Sequence, residues 1–116
     1  MNKKVFKLKR GFEIKRVIRK GLWKSESRVI AYITKHNKPF EYNRFAVCVS
    51  KKNGNSVQRN RLKRLVREAN FQLRTDEIRN SDIVIILKKT ANVDNTNYDD
   101  IYKDLSNVYE TIKKHK

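Results

Sequence analysis

The chain has 116 residues, with 29 Lys and Arg against 12 Asp and Glu, a formal charge of +17. That length suits one domain spanning residues 1–116, with a core too small to divide in two. So large a charge on so small a body opposes compaction and favours an acidic partner: nucleic acid, an anionic membrane or an acidic protein. No apolar run of signal-peptide or membrane-spanning length follows the basic start, so the chain is expected in the cytoplasm and off the membrane. The single cysteine, Cys48, excludes an internal disulfide and fits a reducing compartment.

Taken in order, residues 1–10 are basic and sparsely apolar, and residues 1–6 are expected to be flexible. In the segment 11–21, Ile14, Val17 and Ile18 share one helical face, Lys15, Arg16 and Arg19 lie outside it, and Gly21 supplies a stop. Residues 28–34 are β-branched and aromatic and read as a strand. Polar residues around Pro39 mark a turn. Phe45, Val47 and Val49 then alternate with Ala46, Cys48 and Ser50, the period of a strand covered mainly on one face. Their closeness in sequence predicts that these two strands pair as an antiparallel hairpin.

A helix is predicted after the turn Asn53-Gly54-Asn55, capped by Asn55 or Ser56. Leu62, Leu65, Val66, Ala69 and Leu73 would form its buried face. Ile83 to Leu87 is continuously apolar, which implies a strand buried on both faces at an inner position. Tyr98, Ile101, Tyr102, Leu105, Val108, Tyr109 and Ile112 then keep helical spacing, with Asp99 and Asp100 in the first turn and Lys113 and Lys114 in the last, as the helix dipole favours. The sum is a single α+β sandwich.

The central helix carries the most pointed chemistry. Arg59, Lys63 and Arg67 recur every four residues in one stripe, Asn60 and Arg64 lie beside it, and Arg61 points further round. Like charges at this spacing cost a few tenths of a kcal/mol per pair, and Glu68 alone is at hand to offset them. A solvated basic face is the plainer reading of such a run. Its nearly unmixed charge and the adjoining glycine turn favour a helix laid against polyanionic phosphate.

Catalytic and metal chemistry finds little support. His36 and His115 stand far apart in sequence without ligand-spaced neighbours, so a zinc site is not expected. Cys48 reads as a small apolar strand residue. Asp94, Asp99, Asp100 and Asp104 could in principle hold Mg²⁺, but the helix start explains Asp99 and Asp100, and no phosphate-cradling motif accompanies them. The chain reads as a binder that needs a catalyst.

The string Ser50, Lys51, Lys52, Gly54, Asn55, Val57, Arg59, Asn60, Arg61, Lys63, Arg64, Leu65, Arg67, Glu68 closely resembles the RNR motif of the protein subunit of bacterial ribonuclease P. The resemblance extends from about Lys7 to the end of the last helix. It implies an αβββαβα fold, with a mixed four-stranded sheet, three helices and an unusual left-handed crossover around the central helix. It also implies a ribonucleoprotein endonuclease, a hydrolase, whose RNA subunit carries the active site. Mg²⁺ would be held mainly by that RNA and the substrate. The implied partners are the catalytic RNA and precursor tRNA, not DNA.

By that resemblance Lys51, Lys52, Arg59, Asn60, Arg61, Lys63, Arg64 and Arg67 bind RNA. The groove for the 5′ leader of precursor tRNA would involve Ile14, Ile18, Tyr32, Asn60 and Arg67. The family pattern places phenylalanines where Ile14 and Ile18 stand, between Leu8, Glu13 and Gly21. Isoleucine packs on a base but offers no π-stacking, which is worth about 1–3 kcal/mol per base. Tyr32 keeps the sheet-side aromatic. Phe12 is two positions early for the helix face, and Trp23 and Phe45 are expected only to pack in the core or at its rim. Two other readings remain: a ribosomal or RNA-chaperone protein without a catalytic role, and a helix-turn-helix DNA binder. A strand, where that motif needs a helix, precedes the basic helix and argues against the latter. Neither explains the specific string.

Overall fold

A computed structural model of the chain describes residues 6–8, 11–35, 43–73 and 80–114. Its elements are β1 (Phe6–Lys7), α1 (Gly11–Lys20), β2 (Leu22–Ser25), β3 (Val29–Lys35), β4 (Arg44–Cys48), a 3-10 turn (Lys51–Asn53), α2 (Ser56–Gln72), β5 (Ser81–Leu87) and α3 (Tyr98–Lys114). Four strands form a mixed sheet in the order β4-β5-β3-β2, and the two-residue β1 joins the β4 edge. Three helices and this sheet make the expected α+β fold. Phe6, thought to belong to a mobile start, pairs with Arg44. The turn around Pro39, both histidines and residues 1–5 lie outside the described residues.

The predicted hairpin does not form. β3 and β4 do not pair with each other; β5 lies between them, antiparallel to β3 and parallel to β4. Burial explains the order. β5 is apolar at every position from Ile83 to Leu87, and a central place covers both of its faces. β3 and the alternating β4 flank it.

Alternation along the strands sorts the core into two layers. Val29, Ala31, Ile33, Phe45, Ile83, Ile85 and Leu87 face α2 and α3, where they meet Leu62, Val66, Ala69, Ile101, Leu105, Val108 and Tyr109. Phe45, expected in the core or at its rim, is core. On the opposite face, Leu8, Val17, Ala46 and Val84 form a smaller buried cluster under α1, with Ile14, Ile18, Tyr32, Cys48 and Ile86 packed half-buried around it. One short helix covers only part of that face, so a strip of half-buried apolar side chains lies beside it, where the resemblance to the family implies the leader groove.

An ion-pair network fixes α1 over the sheet. Arg44 Nε and Nη2 donate to the two carboxylate oxygens of Asp82 at 2.7 and 2.8 Å, and Nη1 lies 2.8 Å from Glu13 Oε2. The planar guanidinium makes a fork to Asp82 that Lys could not copy. Hydrogen bonding to Asp82, and then to Glu13, holds Arg44 still more firmly protonated than usual, against the opposing effect of burial. At the far end Gly21 N donates to Val17 O at 2.7 Å, closing the helix.

Candidate nucleic-acid interface

The basic helix begins in a rigid frame. Ser50 Oγ accepts from Lys52 N, and Ser50 N donates to Asn53 Oδ1 at 2.9 Å. Asn53 is fully buried, and its Nδ2 donates to Lys88 O and Ala91 O, each at 2.8 Å. One side chain therefore ties the turn bearing the exposed Lys51 and Lys52 to the loop after β5. Gly54 follows with φ 135°, and an added Cβ would also meet Gln58 Oε1 at 2.5 Å. That Gln58 side chain accepts from Asn55 N while Asn55 Oδ1 accepts from Gln58 N, both at 2.9 Å, so a reciprocal capping box starts α2. Asn55, not Ser56, is the cap.

Replacing Asn53 by alanine removes these bonds and strands the Ala91 carbonyl and the Ser50 amide, while Lys88 O keeps only its bond from Ala91 N. We expect a loss of about 2–3 kcal/mol in unfolding free energy, at about 1–3 kcal/mol for a buried group left unpaired. Urea denaturation measures it, and a loss below about 0.5 kcal/mol contradicts the anchoring role.

From this frame α2 presents its charges in two tiers. Asn60, Arg61, Arg64 and Arg67 are exposed. Arg59 and Lys63 are half-buried, and Arg59 Nη2 donates to Ser56 Oγ at 3.3 Å. Lys63 stands close enough to Cys48 to oppose the effect of burial, which pushes that thiol up. A raised thiol pKa leaves Cys48 protonated at neutral pH and unsuited to nucleophilic work. α2 lies against β4, whose Phe45 and Val47 face the α2–α3 core while Cys48 turns to the opposite, groove face.

Of the groove residues inferred from sequence, Ile14, Ile18 and Tyr32 gather around one cluster, joined by Cys48 and Ile86. Phe12 is exposed on α1 and lies outside that cluster. Asn60 is on the open side of α2. Arg67 lines a separate open cleft of about 780 Å³ with Glu68, Phe71 and Gln72 from α2 and Tyr98 and Tyr102 from α3. Sequence reasoning missed Asn53, which looked like one more turn residue, and the short strand carrying Trp23. Among the described residues no three or more His, Cys, Asp or Glu side chains come together as metal ligands, and no helix is long and apolar enough to cross a membrane.

Comparison with known proteins agrees with this geometry. The family model described as Ribonuclease P matches residues 1–113. The ribonuclease P protein component of Staphylococcus aureus strain N315 is 34% identical over 88 residues, covering 76% of this chain and 75% of that protein. A solved S. aureus RNase P protein superposes with a TM-score of 0.79 at 29% identity, covering 95% of this chain and 97% of the other. The Thermotoga maritima RNase P protein shares the fold, with a TM-score of 0.73 at 24% identity over 94% of this chain and 97% of that one. Sequence and fold agree across nearly the whole length, and the chain belongs to the family of bacterial ribonuclease P protein subunits.

Proposed function

We propose that this subunit binds the catalytic RNA of ribonuclease P through α2 and the Lys51–Lys52 turn, and receives the single-stranded 5′ leader of precursor tRNA in the groove beside α1. The observation that carries the reading is the row of exposed Asn60, Arg61, Arg64 and Arg67 on α2, on the face of the sheet opposite the half-buried apolar strip of Ile14, Ile18 and Tyr32 beside α1. Exposed arginines neutralise phosphate and release counterions. An apolar floor with one aromatic suits unpaired bases, which stack without regard to sequence. The protein then screens repulsion between two RNAs, lowering the Mg²⁺ they need, and adds leader contacts that mature tRNA cannot make. In this reading Mg²⁺ and the hydrolytic step stay with the RNA and substrate, and the protein promotes endonucleolytic removal of the leader to leave the mature 5′ end, in the cytoplasm.

The test compares equilibrium binding of precursor and mature tRNA to a bacterial ribonuclease P RNA with and without this protein. The protein should add a preference for the leader-bearing RNA. Tyr32→Ala should lower that preference by about fivefold or more, the lower end of one base–aromatic stack, while assembly with the catalytic RNA is unchanged. A preference that the protein does not alter would favour the ribosomal or chaperone reading instead.

A further inference from the structure

Trp23 is the only tryptophan in the chain, and it is 68% exposed. A large indole left in water is unusual, because its rings gain much from burial and its N–H seeks a partner. Its position gives the exposure a meaning. Trp23 stands directly opposite Tyr32 in the antiparallel β2–β3 register. Opposed residues in such a pair share one face of the sheet, with Cβ atoms about 5 Å apart. Tyr32 packs with Ile14 and Ile18 on the groove face, so Trp23 extends that face to the edge strand. Arg19 and Lys20, exposed in the last turn of α1, stand just before it in the chain.

We infer that Trp23 is a stacking platform for an unpaired RNA base at the open edge of the groove. The inference rests on the proposed function and deepens it. The groove wall offers isoleucine at Ile14 and Ile18, and the indole supplies the π-face those side chains lack. The neighbouring cations favour a polyanionic occupant over an apolar protein surface. β2 is also a sheet edge, where a second copy could add a strand, so self-association is the competing occupant.

A single tryptophan makes the test direct. The full chain is titrated with a short oligoadenylate and with an abasic chain of the same length, and tryptophan emission is followed. Stacking predicts quenching by oligoadenylate, little change with the abasic chain, and affinity about tenfold weaker for Trp23→Ala but mostly kept in Trp23→Phe. Equal quenching by both chains, or unaltered oligoadenylate affinity in Trp23→Ala, overturns the inference. So does emission that changes with protein concentration alone alongside a rise in molar mass, which would show a second copy on this edge. The oligonucleotide experiment needs no catalytic RNA. Quenching without any stimulation of precursor cleavage would sink the subunit reading and leave the platform standing; the reverse pattern would remove the platform alone.

Discussion

Replacing Arg61 and Arg64 together by alanine should weaken assembly with the catalytic RNA by about 10- to 100-fold at physiological salt, and flatten the dependence of log K on log salt by about 1.4–1.8. Both side chains are exposed on α2, and neither forms an ion pair among the described residues. They are therefore free to meet phosphate, and each phosphate contact contributes its own share of counterion release. Stability should move the other way or not at all, because removing crowded like charges relieves a small repulsion. Arg59 makes a less clean probe: it is half-buried and bonded to Ser56 at the start of the helix, so its loss would mix binding with folding. Filter binding or fluorescence anisotropy across a salt series, beside thermal unfolding, separates the two effects. An unchanged slope would remove the exposed face of α2 from the RNA contact.

Gly21→Ala should cost about 3 kcal/mol, the upper range for overpacking, and lower the melting temperature by about 10 °C or more. A Cβ at this position would stand 2.5 Å from Val17 O, 2.8 Å from Ile33 O and 3.0 Å from Ile33 N. All three are backbone atoms, so no rotamer change gives relief. The end of α1 must lift from β3, taking Ile18 and the groove wall with it. Precursor binding should fall along with stability. An alanine variant that melts like the parent would show that α1 does not approach β3 this closely.

Gly21 also shows where sequence reading stops. As a helix stop it was legible, since glycine after an amphipathic run ends helices often. Its contact with Ile33 depends on a strand twelve residues away, which no local pattern records. The same divide runs through the sheet. Continuous apolar character marked β5 as central, yet the alternation along β4 said only that it has a covered face, and the β-branched and aromatic run of β3 only that it is a strand. Strand partners follow from the whole layout, and nearness in sequence suggested a hairpin where β5 intervenes. Helix periodicity carried α3 to its ends, because seven apolar positions at regular spacing leave one arrangement.

At the interface the legible part was chemical type, and the hidden part was setting. The basic run of α2 announced phosphate from sequence alone. That Arg59 and Lys63 are half-buried while Arg61 and Arg64 stand in water depends on how α2 lies over the sheet. Asn53 looked like one more turn residue beside Gly54, but its side-chain hydrogen bonds with Ser50, Lys88 and Ala91 make it the anchor of the loop that carries Lys51 and Lys52. Trp23 had no periodic neighbours to classify it. Only the β2–β3 register placed it on the groove face.

The most direct test of the subunit reading is cleavage of a precursor tRNA at low Mg²⁺ by a bacterial ribonuclease P RNA, with this protein, without it, and with the protein alone. The RNA and protein together should cut at the mature 5′ end, while neither does so efficiently by itself. Cleavage by the protein alone would place the chemistry in this chain, and a protein that binds the RNA yet leaves the rate unchanged would contradict its role as the subunit.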